Sequence, residues 1–245
     1  MSGIQPSSAT GALPNLVVIG AMKCGTSAVH RYLDGHPQIA MCGPKELNFF
    51  VGPEDPQAGN WYRGLDWYAG HFDASAPVRG ESSPGYTSPA HPRVADRMAS
   101  VLPAARLIML VRDPVQRAVS QYRHHRADGS ERRPLAEALS DPASQYVSRG
   151  RDADRLAPFL RHYPCEQIAI VAHEELSAEG SGALRSLFGF AGVDPNAPTG
   201  DLRGWRTEHP TQLDQRLRRR LVEALQDDAD RLRELAGRDL PGWSL

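Results

Sequence analysis

Apolar residues along the chain fall into two patterns. The first is a short unbroken run without polar alternation: residues 15–21 (NLVVIGA), 105–114 (ARLIMLVRDP) and 167–176 (QIAIVAHEEL). Runs of this length, rich in β-branched residues, fit strands buried on both faces, as in a parallel sheet covered by helices. The second is recurrence at helical spacing. After the first run, TSAVHRYLDGHP sets Ala28, Tyr32 and Leu33 on one face, with Gly35 and Pro37 as the stop. Helices are predicted likewise over 93–103, 115–127, 154–164, 183–193 and 214–237, the last ending at a glycine. Residues 38–50 (QIAMCGPKELNFF) predict a second short strand and a turn. Residues 51–80 are expected to form loops and short helices over a pocket rim; their Trp61, Tyr62, Trp67, Tyr68 and Phe72 either wall that pocket or pack in the core. Residues 131–150 read as polar and broken by Pro and Gly. Strand and helix alternate throughout, so the expected class is α/β: a three-layer P-loop-type fold with a central parallel sheet flanked by helices.

Composition narrows the partners. The chain has 245 residues and a formal net charge of −1, which argues against a general nucleic-acid or membrane-surface binder. The three cysteines, Cys24, Cys42 and Cys165, have neither disulfide-framework nor metal-site spacing, and a reduced compartment fits them. No segment approaches ~18 consecutive apolar residues, so no membrane span is expected. Residues 1–12 read as a disordered lead rather than a signal peptide, and 13–245 as one domain in the cytoplasm, monomeric or homodimeric. Of 28 basic residues only two are lysines, Lys23 and Lys45. Where arginine fills nearly every basic position, a retained lysine marks a site that needs a compact point charge instead of a planar fork.

Lys23 lies in GAMKCGTS, residues 20–27, directly after the first predicted strand and before the first helix. This almost reproduces the phosphate-binding loop G-x-x-x-x-G-K-[ST], except that Thr26 takes the lysine position and the lysine stands three residues earlier. Backbone amides in such a turn, feeding a helix N-terminus, form an anion nest. Gly25 lets the backbone approach the anion, and Thr26 and Ser27 add hydroxyl donors. The strand over 105–114 ends at Arg112, and Ser120 follows eight residues later on the next helix. Arg112 can fork onto a phosphate or pair with a carboxylate such as Asp113, and Ser120 can reach the same group. Two anion sites at the ends of adjacent strands fit one nucleotide phosphorylated at both its 5′ and 3′ positions.

With these segments the chain resembles the sulfotransferases that use 3′-phosphoadenosine 5′-phosphosulfate (PAPS), and within them the heparan sulfate-type branch and its bacterial relatives. IGAMKCGTSAVHRYLDGHP resembles their 5′-phosphosulfate loop and LIMLVRDPVQRAVSQY their 3′-phosphate segment. KELNFF, ESSPGYTSP, SRGRDADRLAPFLRHYPCEQIAIVAHEEL and RTEHPTQLDQRLRRRL follow in family order, over roughly residues 13–243. The resemblance implies PAPS as co-substrate, 3′-phosphoadenosine 5′-phosphate (PAP) as product and no metal. Lys23, Cys24, Gly25, Thr26, Ser27, Arg112, Ser120, Arg206 and Thr207 would bind the nucleotide, Lys23 would stabilise the leaving group, and Glu46 of KELNFF would be the general base. His124 and His125 remain alternative bases. Glu81 would position the acceptor or Lys23, or cap a turn. Trp205 would cover the adenine or simply pack.

The chain departs from the family at Ser82, where heparan-type relatives carry lysine, at Asp152, where many bacterial relatives carry tyrosine, and in GWRTEHP, which matches the late phosphate loop only approximately. These departures turn the expectation away from heparan-like acceptors and toward the hydroxyl, or secondarily the amine, of a small natural product, lipid or glycoside. A P-loop kinase or NTPase would need lysine directly after Gly25 and a Walker-B aspartate for Mg²⁺. A non-catalytic nucleotide-binding scaffold would not need Lys23 together with Glu46.

Overall fold

The first apolar run forms β1 (Leu16–Gly20), every residue of it buried. The computed structural model describes residues 11–177, 182–198 and 213–245. The GAMKCGTS turn leads into α1 (Thr26–Asp34), followed by β2 (Ile39–Met41), α2 (Gly64–Ala69), β3 (Val78–Ser82), α3 (Val94–Val101), β4 (Arg106–Val111) and α4 (Pro114–Ala127). Then come α5 (Leu135–Ser140), α6 (Gln145–Ser148), α7 (Asp152–Leu160), β5 (Ile168–Ala172), α8 (His173–Ser177), α9 (Ala183–Ala191) and α10 (Gln215–Ala236). The expected lead over 1–12 lies almost wholly outside the described residues.

The five strands form one sheet in the order β2-β3-β1-β4-β5, and every pairing is parallel. Because side chains alternate across a strand, the apolar runs serve two layers at once. Val17 and Ile19 of β1, with Leu107, Met109 and Val111 of β4, pack against Val94 and Met98 of α3, Leu156 and Phe159 of α7 and Leu232 of α10. Leu16 and Val18, with Ile108 and Leu110, face Val29 and Leu33 of α1 and Leu187 and Phe188 of α9. The middle of the sheet is therefore sealed on both sides, the condition that unbroken apolar strands require. Full burial of each such aliphatic side chain contributes about 1.5–3 kcal/mol.

Two stretches differ from their expectation. Residues 51–80 contain α2 and the start of β3, a strand of sequence VRGES that is apolar at only one position. Its polar groups are satisfied locally: the Arg79 guanidinium donates to the Leu13 and Ala76 carbonyls, and Gly80 lets the Met41 sulfur lie where a β-carbon would sit. Residues 131–150 hold α5 and α6, whose Ala138, Leu139, Tyr146 and Val147 form a third core cluster with α4 and with Leu217, Leu221 and Leu225 of α10. The four-residue spacing of these leucines puts them on one stripe of α10.

The aromatic residues of 51–80 build core rather than a pocket wall. Phe49 and Tyr68 stack with centroids 4.1 Å apart, and Phe49, Phe50, Trp61, Tyr68 and Phe72 form one packed group. Tyr62 faces solvent, 76% exposed. Among the described residues no helix is long and apolar enough to cross a membrane.

The connection after β1 runs toward β2 and β3, and the chain after β4 runs the other way, to β5. Such a reversal opens a crevice beyond the carboxyl ends of the two strands, the common binding position of open α/β sheets.

Candidate active site

That crevice is a cleft of about 610 Å³ lined by Lys23, Gly25, Thr26 and Ser27 beyond β1, by Arg112, Ser120 and His124 beyond β4, and by Glu46, Asn48, Asp55, His91 and Arg149 from the surrounding loops. On the β1 side, Gly25 is the residue before α1 and adopts φ 94°, a left-handed conformation that glycine takes without penalty. No side chain caps α1, and among the described residues its first two amides, on the cleft-lining Thr26 and Ser27, have no acceptor, while the Ala28 amide donates to the Gly25 carbonyl at 3.0 Å. The contrast is α4, where the Asp113 carboxylate accepts from the Gln116 amide at 2.8 Å and closes the helix end itself.

Lys23 is partly buried and holds φ 71°. Glu46 holds φ 65° and Asn48 φ 47°. A left-handed backbone at a residue other than glycine costs on the order of 1 kcal/mol or more and persists where the surroundings impose it. Three such residues line one cleft, and two of them are the lysine and glutamate that the sequence singles out. Arg112, only 7% exposed, reaches across from β4 with its Nη1 3.4 Å from the Lys23 carbonyl oxygen, which ties the two halves of the site together. Ser120 is buried on the face of α4 that borders the same space.

Glu46 stands at the mouth, its side chain 49% exposed, its amide donating to the Ser82 carbonyl at 3.0 Å and its carboxylate 2.5 Å from the Lys45 ammonium. Of the chain's two lysines, Lys23 lines this cleft and Lys45 pairs with Glu46, which also lines it. Asn48 is held by its amide on the Ser83 hydroxyl at 3.1 Å, and its buried side-chain oxygen has no hydrogen-bond partner among the described residues. His91 lies between the Gly85 carbonyl at 3.0 Å and the Asp55 carboxylate at 3.2 Å, which fixes the loop over the opening.

Behind this rim sits Glu81, fully buried at the carboxyl end of β3. The hydroxyls of Tyr68 and Tyr86 each donate to it at 2.8 Å, and Ser83 donates from 3.5 Å. Burial without a cation outweighs these donors and raises its pKa to about 7. The carboxyl is therefore protonated in the folded chain below that value, while the unfolded chain releases the proton near pH 4.5. Folded protein binds the extra proton between these limits, so stability falls as pH rises through that window. Glu81→Gln is expected to gain on the unmodified protein across pH 4.5–7, by on the order of 3 kcal/mol. Urea unfolding of both proteins at pH 5 and pH 8 measures the change in their difference; a constant difference contradicts this assignment.

Other candidates fall elsewhere. Cys24 is fully buried with its amide on the Ala21 carbonyl at 3.2 Å, and desolvation drives its thiol pKa well up; it packs beneath the loop and does not line the cleft. Of the two histidines, His124 lines the cleft, with Asp128 3.9 Å away, whereas His125 turns to the Tyr146 hydroxyl at 3.0 Å. Asp152 is fully buried near Arg117, with burial raising its pKa to about 8, so this departure from the relatives alters the interior instead of the acceptor face. Trp205, Arg206 and Thr207 lie outside the described residues. Arg149 was not singled out from sequence, because it sits in a stretch that reads as a polar connection.

Comparison with known proteins shows the family. A sequence model described as "Sulfotransferase family" matches residues 61–197, more than half of the chain. The human bifunctional heparan sulfate N-deacetylase/N-sulfotransferase 2 is 31% identical over 208 residues, covering 75% of this chain but 22% of the relative. Mouse heparan sulfate glucosamine 3-O-sulfotransferase 3B1 is 29% identical over 195 residues, covering 74% of this chain and 46% of the relative. The chain thus spans about a fifth to a half of the length of these curated relatives. A crystal structure of a sulfotransferase from Alicyclobacillus acidocaldarius superimposes with a TM-score of 0.81 at 30% identity, covering 96% of this chain and 100% of that one. The sulfotransferase domain from the curacin biosynthetic pathway, 16% identical with a TM-score of 0.52, shares the fold. The chain belongs to the sulfotransferase family.

Proposed function

We propose that this chain transfers a sulfuryl group from PAPS to a hydroxyl of a polar acceptor. The observation that carries the reading is the single cleft that holds Lys23 and Arg112 at the ends of adjacent strands, with uncapped amides on one side and Ser120 on the other. The nucleotide brings the activated sulfuryl group. The residues present fit it: amides and hydroxyls of Gly25, Thr26 and Ser27 receive the 5′ end, Arg112 and Ser120 the 3′-phosphate, and Cys24 packs under the loop. Arg206 and Thr207 are assigned to the same nucleotide by resemblance alone. Lys23 places an ammonium where negative charge grows on the departing 5′-phosphate oxygen, and Glu46 accepts the acceptor's proton.

The described lining supports a polar acceptor. Glu46, Asn48, Asp55 and His91 face the opening, and no phenylalanine, tyrosine or tryptophan among the described residues lines it. The relatives named above for heparan sulfate and its glucosamine direct the choice to a glycoside hydroxyl, with an amine as the second acceptor class. A screen with ³⁵S-labelled PAPS over glycosides, amino sugars, phenols and lipid alcohols tests the reading. Label in a glycoside is the expected result; transfer to none of them, with PAPS intact, contradicts it.

Arg112→Ala is expected to weaken PAP by roughly 10- to 100-fold, the worth of a charge-assisted contact, and to leave adenosine 5′-phosphate nearly unchanged. Titration calorimetry of both nucleotides reads this out; equal losses contradict recognition of the 3′-phosphate.

A further inference from the structure

Arg149 brings to the cleft a positive charge that the described protein does not pair. It follows α6, and α6 is fastened to α4 along its length. Arg117 donates to the Tyr146 carbonyl, Gln121 donates to the Gln145 side-chain oxygen at 3.1 Å, and the Tyr146 hydroxyl donates to Glu131 at 3.1 Å while meeting His125 at 3.0 Å. This strap carries Arg149 across α4 to the edge of the cleft, where its Nη1 lies 3.4 Å from the Met22 sulfur, a poor acceptor. Among the described residues no carboxylate bonds to the guanidinium. Desolvation, and after it the charge of the neighbouring Arg117, disfavours its cationic form. A partly buried guanidinium beside a second cation is unfavourable in the empty protein, and an anion entering the cleft removes the penalty.

The anion is identified by the helix that carries the strap. The strap is bonded to Arg117 and Gln121, which flank Ser120 on α4, and the Arg149 and Arg112 guanidiniums reach adjacent residues of the β1–α1 loop, Arg149 the Met22 sulfur and Arg112 the Lys23 carbonyl, each at 3.4 Å. We infer that Arg149 is a third ligand of the nucleotide's 3′-phosphate, acting with Arg112 and Ser120. The inference rests on reading the cleft as a PAPS site.

Two variants test it, Arg149→Met and Arg149→Lys, with PAP and adenosine 5′-phosphate titrated by calorimetry and thermal midpoints measured without ligand. Arg149→Met is expected to lose roughly 10- to 100-fold in PAP affinity and less than ~3-fold for adenosine 5′-phosphate. Lysine, lacking the planar fork, restores only part of the loss. The ligand-free midpoint of Arg149→Met is expected to hold or to rise by about 2–4 °C, because an unpaired cation gives way to an apolar chain of similar length. A merely structural arginine would lower that midpoint and leave the ratio of the two affinities unchanged, and that result overturns the inference. Equal losses for both nucleotides overturn it as well. The unmodified protein is titrated first: failure to bind PAP removes the nucleotide reading and the inference with it, whereas normal PAP binding with an indifferent Arg149→Met removes the inference alone.

Discussion

Lys23→Ala is expected to lower the rate of sulfuryl transfer by roughly 10²–10³-fold or more, the effect of deleting one preorganised group that stabilises developing charge. Three features single out this side chain. It stands in the loop that joins β1 to α1, its backbone is held at φ 71°, and it is one of two lysines in a chain whose other basic residues are all arginine. A site that required only positive charge would accept the fork of arginine; a site beside a single bridging oxygen requires a compact ammonium. Lys23→Arg is therefore expected to recover little of the rate. Lys23→Gly relieves the left-handed backbone and is expected to match or exceed the stability of the alanine variant while remaining inactive. Initial rates with PAPS, measured beside PAP affinity, decide the matter. A Lys23→Ala enzyme with near-normal turnover contradicts the leaving-group role.

The second large effect is expected at Glu46. Glu46→Gln keeps the size and polarity of the side chain and removes its capacity to take a proton, so turnover is expected to fall by roughly 10²–10⁴-fold, the usual range of general-base assistance. PAP affinity is expected to stay within about 2-fold, because Glu46 comes from the β2–β3 connection and lines the opening rather than the phosphate loop. Its Lys45 partner, 2.5 Å away, holds the carboxylate in place. Single-turnover rates and calorimetry on the same preparation separate the two quantities. A parallel fall in rate and affinity shows that Glu46 serves binding; an unchanged rate transfers the base role to His124, the one of the two candidate histidines that lines the cleft.

The side of the cleft proposed to take the nucleotide is legible in the sequence, and of the opposite side only Glu46 is, for a physical reason. A phosphate loop is local: strand, glycine turn and helix follow one another, so spacing reports geometry. The same holds for Arg112 and Ser120, one at a strand end and the other on the helix that follows. The opposite side is assembled from segments separated in sequence, Glu46 on the Ser82 carbonyl, Asp55 with His91, and Glu81 with Tyr68. No period records those pairings. β3 went unseen because Arg79, Gly80 and Glu81 give it no apolar alternation, although their polar groups are satisfied once folded. The aromatic residues of 51–80 could be told apart as core or wall only by the stacking of Phe49 on Tyr68. Arg149 escaped notice because α6 is four residues long and owes its place to side chains of α4.

One nucleotide is proposed to hold both anion sites at once, and calorimetric titration of the unmodified protein with PAP, adenosine 5′-phosphate and Mg–ATP measures that directly. PAP is predicted to bind at least ~100-fold more tightly than adenosine 5′-phosphate, the return from adding charge-assisted bonds at the second site, and more tightly than Mg–ATP. Equal affinity for PAP and adenosine 5′-phosphate, or a preference for Mg–ATP, contradicts it.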